Sequence, residues 1–328
     1  MDPFSQILSG VVLKGALFFN AEFSAPWGFN APTARELATV LAPDAPHLLV
    51  YHFLVEGSGI VSLGDAAIEL EPGDVVVLPH GDAHEMCSAQ GVARKLSEAM
   101  MAKLKTRDLS AMHTGGGGEV ARFVCGFMVC DPLLCRPILQ SLPPAFKVNL
   151  RSDRSGQWLE HTLLHLVEEA ASENAGSEAV LAKLSEALFV DTLRRYLAGL
   201  PEQEVGWLAA ARDPMIGKSL MLLHSRSQHP WTLVELAREV GLSRSALAER
   251  FTRYLSEPPM AYLIRWRLQL AARALASTSR GVAEIAEDVG YESEAAFNRA
   301  FKREFGQPPG RYRSDRKSAP RQEFQRST

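Results

Sequence analysis

Leu233-Val-Glu-Leu-Ala-Arg-Glu-Val-Gly-Leu-Ser-Arg-Ser-Ala-Leu-Ala-Glu-Arg-Phe251 is the stretch that decides the fold. Leu233, Leu236, Ala237 and Val240 recur at i, i+3, i+4 and i+7, the apolar stripe of a short helix. Gly241 follows, able to take the positive φ of a sharp turn, and Ser243 stands where a second helix needs a cap. Leu247 and Phe251, four residues apart, mark the buried side of that second helix. Two short helices joined by a glycine turn make a helix-turn-helix.

The pattern returns further along the chain. Val282, Glu284, Ala286, Val289 and Gly290 repeat Leu233, Glu235, Ala237, Val240 and Gly241 at an offset of 49. Beyond the turn the offset is 50, so Leu247, Phe251, Pro258, Pro259 and Tyr262 recur as Phe297, Phe301, Pro308, Pro309 and Tyr312. A fixed period carrying a Pro-Pro pair marks one unit used twice. Between the copies, Pro258 to Leu275 reads as a single helix with Leu263, Trp266, Leu270 and Ala274 as its buried stripe. Such a helix holds the two units at a set separation, suited to successive major-groove faces of DNA.

With Leu247 and Phe251 turned inward, the second helix of the first unit presents Arg244, Ser245, Ala248 and Glu249. The second unit presents Glu294, Ala295, Asn298 and Arg299. An arginine can bond a guanine edge with two donors, an asparagine can pair with adenine, and a glutamate can accept from cytosine. Lys302, Arg303, Arg311 and Arg313 are placed for phosphates. Charge agrees: the chain has a net charge of −3, yet from Arg212 onward 20 basic residues face 13 acidic ones, +7, leaving −10 for the rest. A polyanion partner suits only the C-terminal third.

Four segments carry a resemblance: Trp231-Thr-Leu-Val-Glu-Leu-Ala, Gly241-Leu-Ser-Arg-Ser, Gly290-Tyr-Glu-Ser-Glu-Ala-Ala-Phe and Phe305-Gly-Gln-Pro-Pro-Gly-Arg-Tyr-Arg. Over about Asp213 to Arg313 the chain resembles the AraC/XylS family of transcription regulators. The resemblance implies a two-unit DNA-binding domain acting on promoters, usually behind an N-terminal domain for effector binding or dimerisation. Ala248 and Ala295 depart from it in being too short to hydrogen-bond bases, so the operator sequence does not follow by analogy.

From about Leu8 to Val129 the texture is that of strands: Leu48 to Val55, Ala67 to Leu70 and Val75 to Leu78 are apolar runs broken by glycine, aspartate and proline. Within it, Gly73-Asp-Val-Val-Val-Leu-Pro-His-Gly-Asp-Ala-His84 resembles the second cupin motif, which implies a jelly-roll barrel. The usual His-x-His of the first motif is absent, but His52 precedes Glu56-Gly57 in its place. Alternation puts His52, Leu54 and Glu56 on one face, taken as inward. Phe123-Val-Cys-Gly-Phe resembles a strand of cupin-bearing AraC-type regulators. His52, His84 and Cys125 are therefore the candidate metal ligands, an imidazole pair and a thiolate that suit zinc or another divalent metal; structural histidines and a buried cysteine are the plain alternative. Cys87, Cys130 and Cys135 lack a Cys-x-x-Cys pair or basic neighbours, and His80, His113 and the run Gly115 to Gly118 read as loop.

From Trp158 the period is helical, with Trp158, Thr162, His165 and Leu166, then Leu181, Leu184, Leu188 and Leu193, on two helices broken near Asn174 to Ser177. They are expected to cover the barrel or a second copy of the chain. The expected fold is thus multidomain α+β: a cupin-like all-β sensor over 1–150, a helical packing or dimerisation segment over 151–200, a linker over 201–213, a double helix-turn-helix domain over 214–316 and a disordered tail over 317–328.

The expected partners are double-stranded promoter DNA, a second copy as homodimer, RNA polymerase and a small effector. No apolar run is long enough to span a membrane, and four cysteines without an export signal suit a reducing cytoplasm. The function expected is that of a DNA-binding transcription regulator, not an enzyme, controlled at the barrel by an effector, metal or redox signal. The alternatives are a cupin metalloenzyme with a DNA-binding tail and a constitutive DNA-binding dimer.

Overall fold

The computed structural model describes residues 5, 13–43, 45–91, 102–103, 105–106, 110–170, 176–201 and 203–318. They fall into two units: Leu13–Pro132 with Leu142–Gly199, and Leu133–Ser141 with the chain from Leu200 onward.

The first unit is built on ten strands, β1 (Leu13–Ser24), β2 (Gly28–Ala31), β3 (Leu48–Glu56), β4 (Gly59–Leu63), β5 (Ala66–Leu70), β6 (Asp74–Leu78), β7 (His84–Cys87), β8 (Met112–Gly115), β9 (Val120–Cys130) and β10 (Phe146–Asn149). Six form a sheet in the order β10-β6-β3-β9-β1-β8, and four form a second in the order β2-β7-β4-β5. Apart from the parallel β1–β8 pair, the registers are antiparallel. The inner faces enclose Phe23, Trp27, Phe29 and Phe123, with the Phe23 and Trp27 rings stacked 4.8 Å apart. The all-β expectation is corrected first by helix α1 (Ala34–Leu41). Thr33 accepts from the Glu36 amide while Glu36 reaches back to the Thr33 amide, a capping box legible in Thr33-Ala-Arg-Glu36 but passed over among strand signals.

Helix α2 (Pro132–Leu139) falls almost wholly within the second unit. Two longer helices, α3 (Arg154–Ala170) and α4 (Ser177–Gly199), belong with the strands rather than forming a segment of their own. The expected break at Ser177 is the start of α4, while Asn174 and Ala175 lie outside the described residues. On α3 the buried stripe is Leu159, Leu163 and Val167, one position later than expected; Trp158 is 66% exposed and His165 also faces solvent. Helix α4 packs on β1 and β9; Gly15 allows the approach, and Gly126 makes room for the Tyr51 ring. A Cβ at Gly15 would meet Ser185 Oγ at 2.7 Å, and one at Gly126 would meet Tyr51 Oη at 2.1 Å. The space left holds a buried 2.5 Å hydrogen bond between the Tyr51 and Ser185 hydroxyls.

In the second unit the expected linker over 201–213 contains a packed helix, α5 (Trp207–Arg212), with Trp207, Leu208 and Ala210 buried. Asp213 caps the next helix, α6 (Pro214–Ser225), accepting from the Met215 and Ile216 amides, and pairs with Arg250. The helix-turn-helix units follow as α7 (Leu233–Val240) with α8 (Arg244–Leu255), and α10 (Val282–Asp288) with α11 (Glu294–Phe305), separated by the 19-residue α9 (Pro259–Ser277). Ser243 and Ser293 cap α8 and α11, and Gly241 and Gly290 turn at φ 75° and 85°. Helix α12 (Pro309–Ser318) runs past residue 316, where a tail was expected to begin.

Gly126→Ala puts a methyl on the Tyr51 hydroxyl and should break its bond to Ser185. Overpacking of this kind costs about 1–3 kcal/mol; a denaturant midpoint equal to wild type would refute the role given to this glycine.

Candidate functional site

The four expected outward residues of α8 lie on one accessible face. Arg244, Ser245 and Glu249 are exposed and Ala248 is half-buried, while Leu247 and Phe251 are fully inside. On α11, Glu294, Ala295 and Arg299 are exposed and Asn298 half-buried, over buried Phe297 and Phe301. Among the described residues neither Arg244 nor Arg299 is held in an ion pair, so both guanidinium groups are free to seek an external acceptor. The two faces differ in charge. The first is headed by an arginine, the second by a glutamate.

Other basic residues of this unit are committed internally. Arg250 is bound to Asp213; burial pushes the Asp213 carboxyl up, but the amides of Ile216 and Met215 and the Arg250 guanidinium outweigh it and hold the group below the usual carboxylate range. Arg313, expected on a phosphate, instead donates to Arg280 O from a half-buried position. Lys302, Arg303 and Arg311 remain exposed. Sequence reasoning missed Arg267, whose guanidinium donates to three backbone carbonyls. A carbonyl partner leaves no trace in residue identity, so no signal marked it.

In the first unit His52, His84 and Cys125 do meet. His52 on β3 is paired directly with Cys125 on β9, and His84 comes from β7 in the opposite sheet. Cys125 Sγ lies 2.8 Å from His52 Nδ1, His52 Nε2 lies 2.7 Å from His84 Nε2, and His84 Nδ1 lies 3.1 Å from Asp82 O. The direction of every bond follows from the last. A carbonyl only accepts, so His84 Nδ1 carries a proton and its neutral Nε2 accepts from His52 Nε2–H; His52 Nδ1 then accepts from the Cys125 thiol.

All three groups are neutral in this arrangement. Burial lowers the pKa of His52, with His84 adding to it, and burial likewise lowers that of His84 against the opposing Asp82 carbonyl; burial raises the Cys125 thiol.

A metal does not fit this arrangement. Tetrahedral coordination needs the donors aimed at one point, whereas His52 lies between its partners with one nitrogen turned to each. Among the described residues no group of three His, Cys, Asp or Glu side chains is placed to hold an ion. Glu56, expected inward with His52, is exposed, because a register shift between Leu54 and Glu56 ends the alternation.

The other candidates are placed as follows. All four cysteines are buried and none is in a disulfide. His80 bonds Leu142 O, His113 pairs with Glu22 at the surface, and Gly116 and Gly118 donate to Ser24 O and Ala25 O in a tight loop. No helix among the described residues is long and apolar enough to cross a membrane.

Comparison with known proteins accounts for both units. Residues 2–198 match the Cupin family and residues 236–315 the helix-turn-helix domain family. An AraC-like transcription regulator of Streptomyces antibioticus is 32% identical over 82% of this chain and 88% of its own length. The HTH-type transcriptional regulator AlkR of Acinetobacter baylyi is 28% identical over 95% and 99%. A solved AraC-type regulator from Chromobacterium violaceum is 26% identical, covering 33% of this chain and 96% of that one with a TM-score of 0.31.

The hydrogen-bonded line through the barrel makes two measurable demands. His84→Ala leaves His52 Nε2–H buried without an acceptor and should destabilise the barrel by about 1–3 kcal/mol. Both imidazoles have lowered folded pKa values, so the unfolded chain takes up protons first; their stabilisation is complete above about pH 6.5 and is lost as pH falls below it toward the folded values. The gap between wild type and His84→Ala in denaturant unfolding should therefore narrow from pH 8 to pH 5. A gap independent of pH would contradict the neutral assignment.

Proposed function

This chain belongs to the AraC-type family of DNA-binding transcription regulators, and from that premise we propose that its two helix-turn-helix units read one duplex together, with unlike contacts, while the barrel receives the signal. The observation that carries the reading is the pair of accessible faces on α8 and α11. Arg244 and Arg299 are uncommitted there, while Arg250, Arg267 and Arg313 are spent on the protein itself.

The two faces call for two different half-contacts. Arg244 near the start of α8 suits a guanine edge, with Ser245 beside it and Glu249 one turn on as an acceptor for cytosine. On α11 the first turn carries Glu294, and Asn298 with Arg299 follows one turn later, a set suited to adenine and either a base or a phosphate. An asymmetric operator follows, with the stronger arginine-to-guanine demand on the α8 side.

For the barrel, the support is its interior. With all three members neutral, the Cys125–His52–His84 line is satisfied by one arrangement of protons, so any event that alters one member disturbs the other two. An effector or redox signal acting there would have a built-in mechanical consequence. Among the described residues, the metal-controlled version and the cupin metalloenzyme alternative both lack a converging donor set. Of the expected partners, duplex DNA comes with the family; a second copy, RNA polymerase and an effector belong to this proposal.

Selection of bound fragments from genomic DNA, repeated with Arg244→Ala and Arg299→Ala, tests the DNA reading. Loss of a base-reading arginine should cost about 1–3 kcal/mol and relax one operator position, whereas loss of a phosphate contact weakens all sites alike and lowers the salt dependence. Wild-type binding and wild-type site preference in both variants would remove these residues from the interface.

A further inference from the structure

We infer that Arg267, together with the bare backbone of Gly290, is the positioning device that sets the spacing between the two recognition helices, and with it the operator spacing the protein accepts. The inference rests on the reading that both units engage one duplex.

Helix α9 changes its buried side halfway along. Its N-terminal half buries Tyr262, Leu263 and Trp266, and its C-terminal half buries Leu268, Ala271, Ala272 and Leu275. At about 100° per residue, the mean directions of these two sets lie roughly 180° apart around the helix. The first set serves the first unit: Tyr262 meets Phe251 edge to face, and Trp266 stacks on His224 of α6. The second set joins Ile285, Ala286, Phe297 and Phe301 in the core of the second unit. The two units therefore pack on opposite sides of one helix. A rotation or bend of that helix would change their separation without exposing either core.

Arg267 sits where the buried face changes over, roughly a quarter turn from each set. Its guanidinium spans the seam. Nε donates to Ser227 O at 2.6 Å and Nη2 to His229 O at 2.8 Å, both in the segment that leads into α7; Nη1 donates to Gly290 O at 3.2 Å, in the turn between α10 and α11. A planar fork with fixed donors can hold three carbonyls from two units in one geometry, which a lysine ammonium cannot.

Gly290 completes the contact. A Cβ there would lie 2.8 Å from Gln228 O and 2.9 Å from Arg267 Cζ, whereas a Cβ at Gly241, its counterpart in the first unit, meets nothing within 4 Å. The two glycines have similar positive φ, 85° and 75°. They share the backbone requirement, and only Gly290 carries the steric one.

That asymmetry supplies a matched control. The full-length protein is used to select a tight-binding duplex from a random-sequence pool, its two contacted segments are footprinted, and duplexes with one base pair inserted or deleted between them are made. Wild type should lose about tenfold or more in affinity for the altered spacings. In Arg267→Lys and Gly290→Ala the penalty should shrink to threefold or less, on the order expected when the units move independently. Gly241→Ala should lose stability yet keep the wild-type penalty.

Wild-type penalties in both Arg267→Lys and Gly290→Ala would overturn the inference while leaving two-unit binding intact. No penalty in wild type would instead overturn the two-unit reading and this inference with it. If neither variant folds, Arg267 is a folding residue rather than a positioning one, and the inference is likewise overturned.

Discussion

A helix that buries opposite sides in its two halves needs something to hold the change-over, and in the DNA-binding unit Arg267 does this. An arginine in such a place loses hydration, and burial lowers its pKa from the usual value. Three carbonyl acceptors compensate, one of them, His229 O, shared with the Trp231 amide. Because those carbonyls come from the segment before α7 and from the turn before α11, one side chain ties the approach of both reading helices to the same point of α9. The recognition faces can then vary in side chains while their separation stays a property of the scaffold.

The barrel solves a different problem with the same chemistry. Its interior is aromatic and aliphatic, and polar groups there must satisfy one another. Cys125, His52 and His84 do so as a line that crosses from one sheet to the other and ends on the Asp82 carbonyl. The fixed polarity of that carbonyl dictates the tautomer of both imidazoles and the direction of the thiol proton. The line is accordingly a neutral brace between sheets, and its members are neither exchangeable one by one nor arranged around a common centre.

Much of this was legible beforehand where the physics is local. The duplicated helix-turn-helix shows in the spacing of Leu236, Ala237 and Val240 against Ile285, Ala286 and Val289, because a helix repeats every 3.6 residues wherever it lies. Glycine at 241 and 290 and serine at 243 and 293 are likewise local demands of turn and cap. The outward positions of α8 and α11 follow once Leu247, Phe251, Phe297 and Phe301 are placed inside. On α3 two adjacent stripes share one period: Trp158 and Thr162 are expected inside, but Leu159, Leu163 and Val167 are the buried set, on a helix that packs against α4. On α9 one continuous stripe through Leu270 and Ala274 was expected, and a stripe that switches sides has no single period to detect.

The sequence by itself thus determined the repeat, the turns, the caps, the strand texture and which side chains of the recognition helices face outward, all consequences of backbone geometry over a few residues. Only the tertiary structure decided what Arg267 holds, that Gly290 needs its missing Cβ and Gly241 does not, and that His52, His84 and Cys125 form a line rather than a cage. Each of these depends on atoms distant along the chain; the acceptors of Arg267 lie 23 to 40 residues away. Most of those atoms belong to the backbone, which is the same at every position and leaves no mark in the order of side chains.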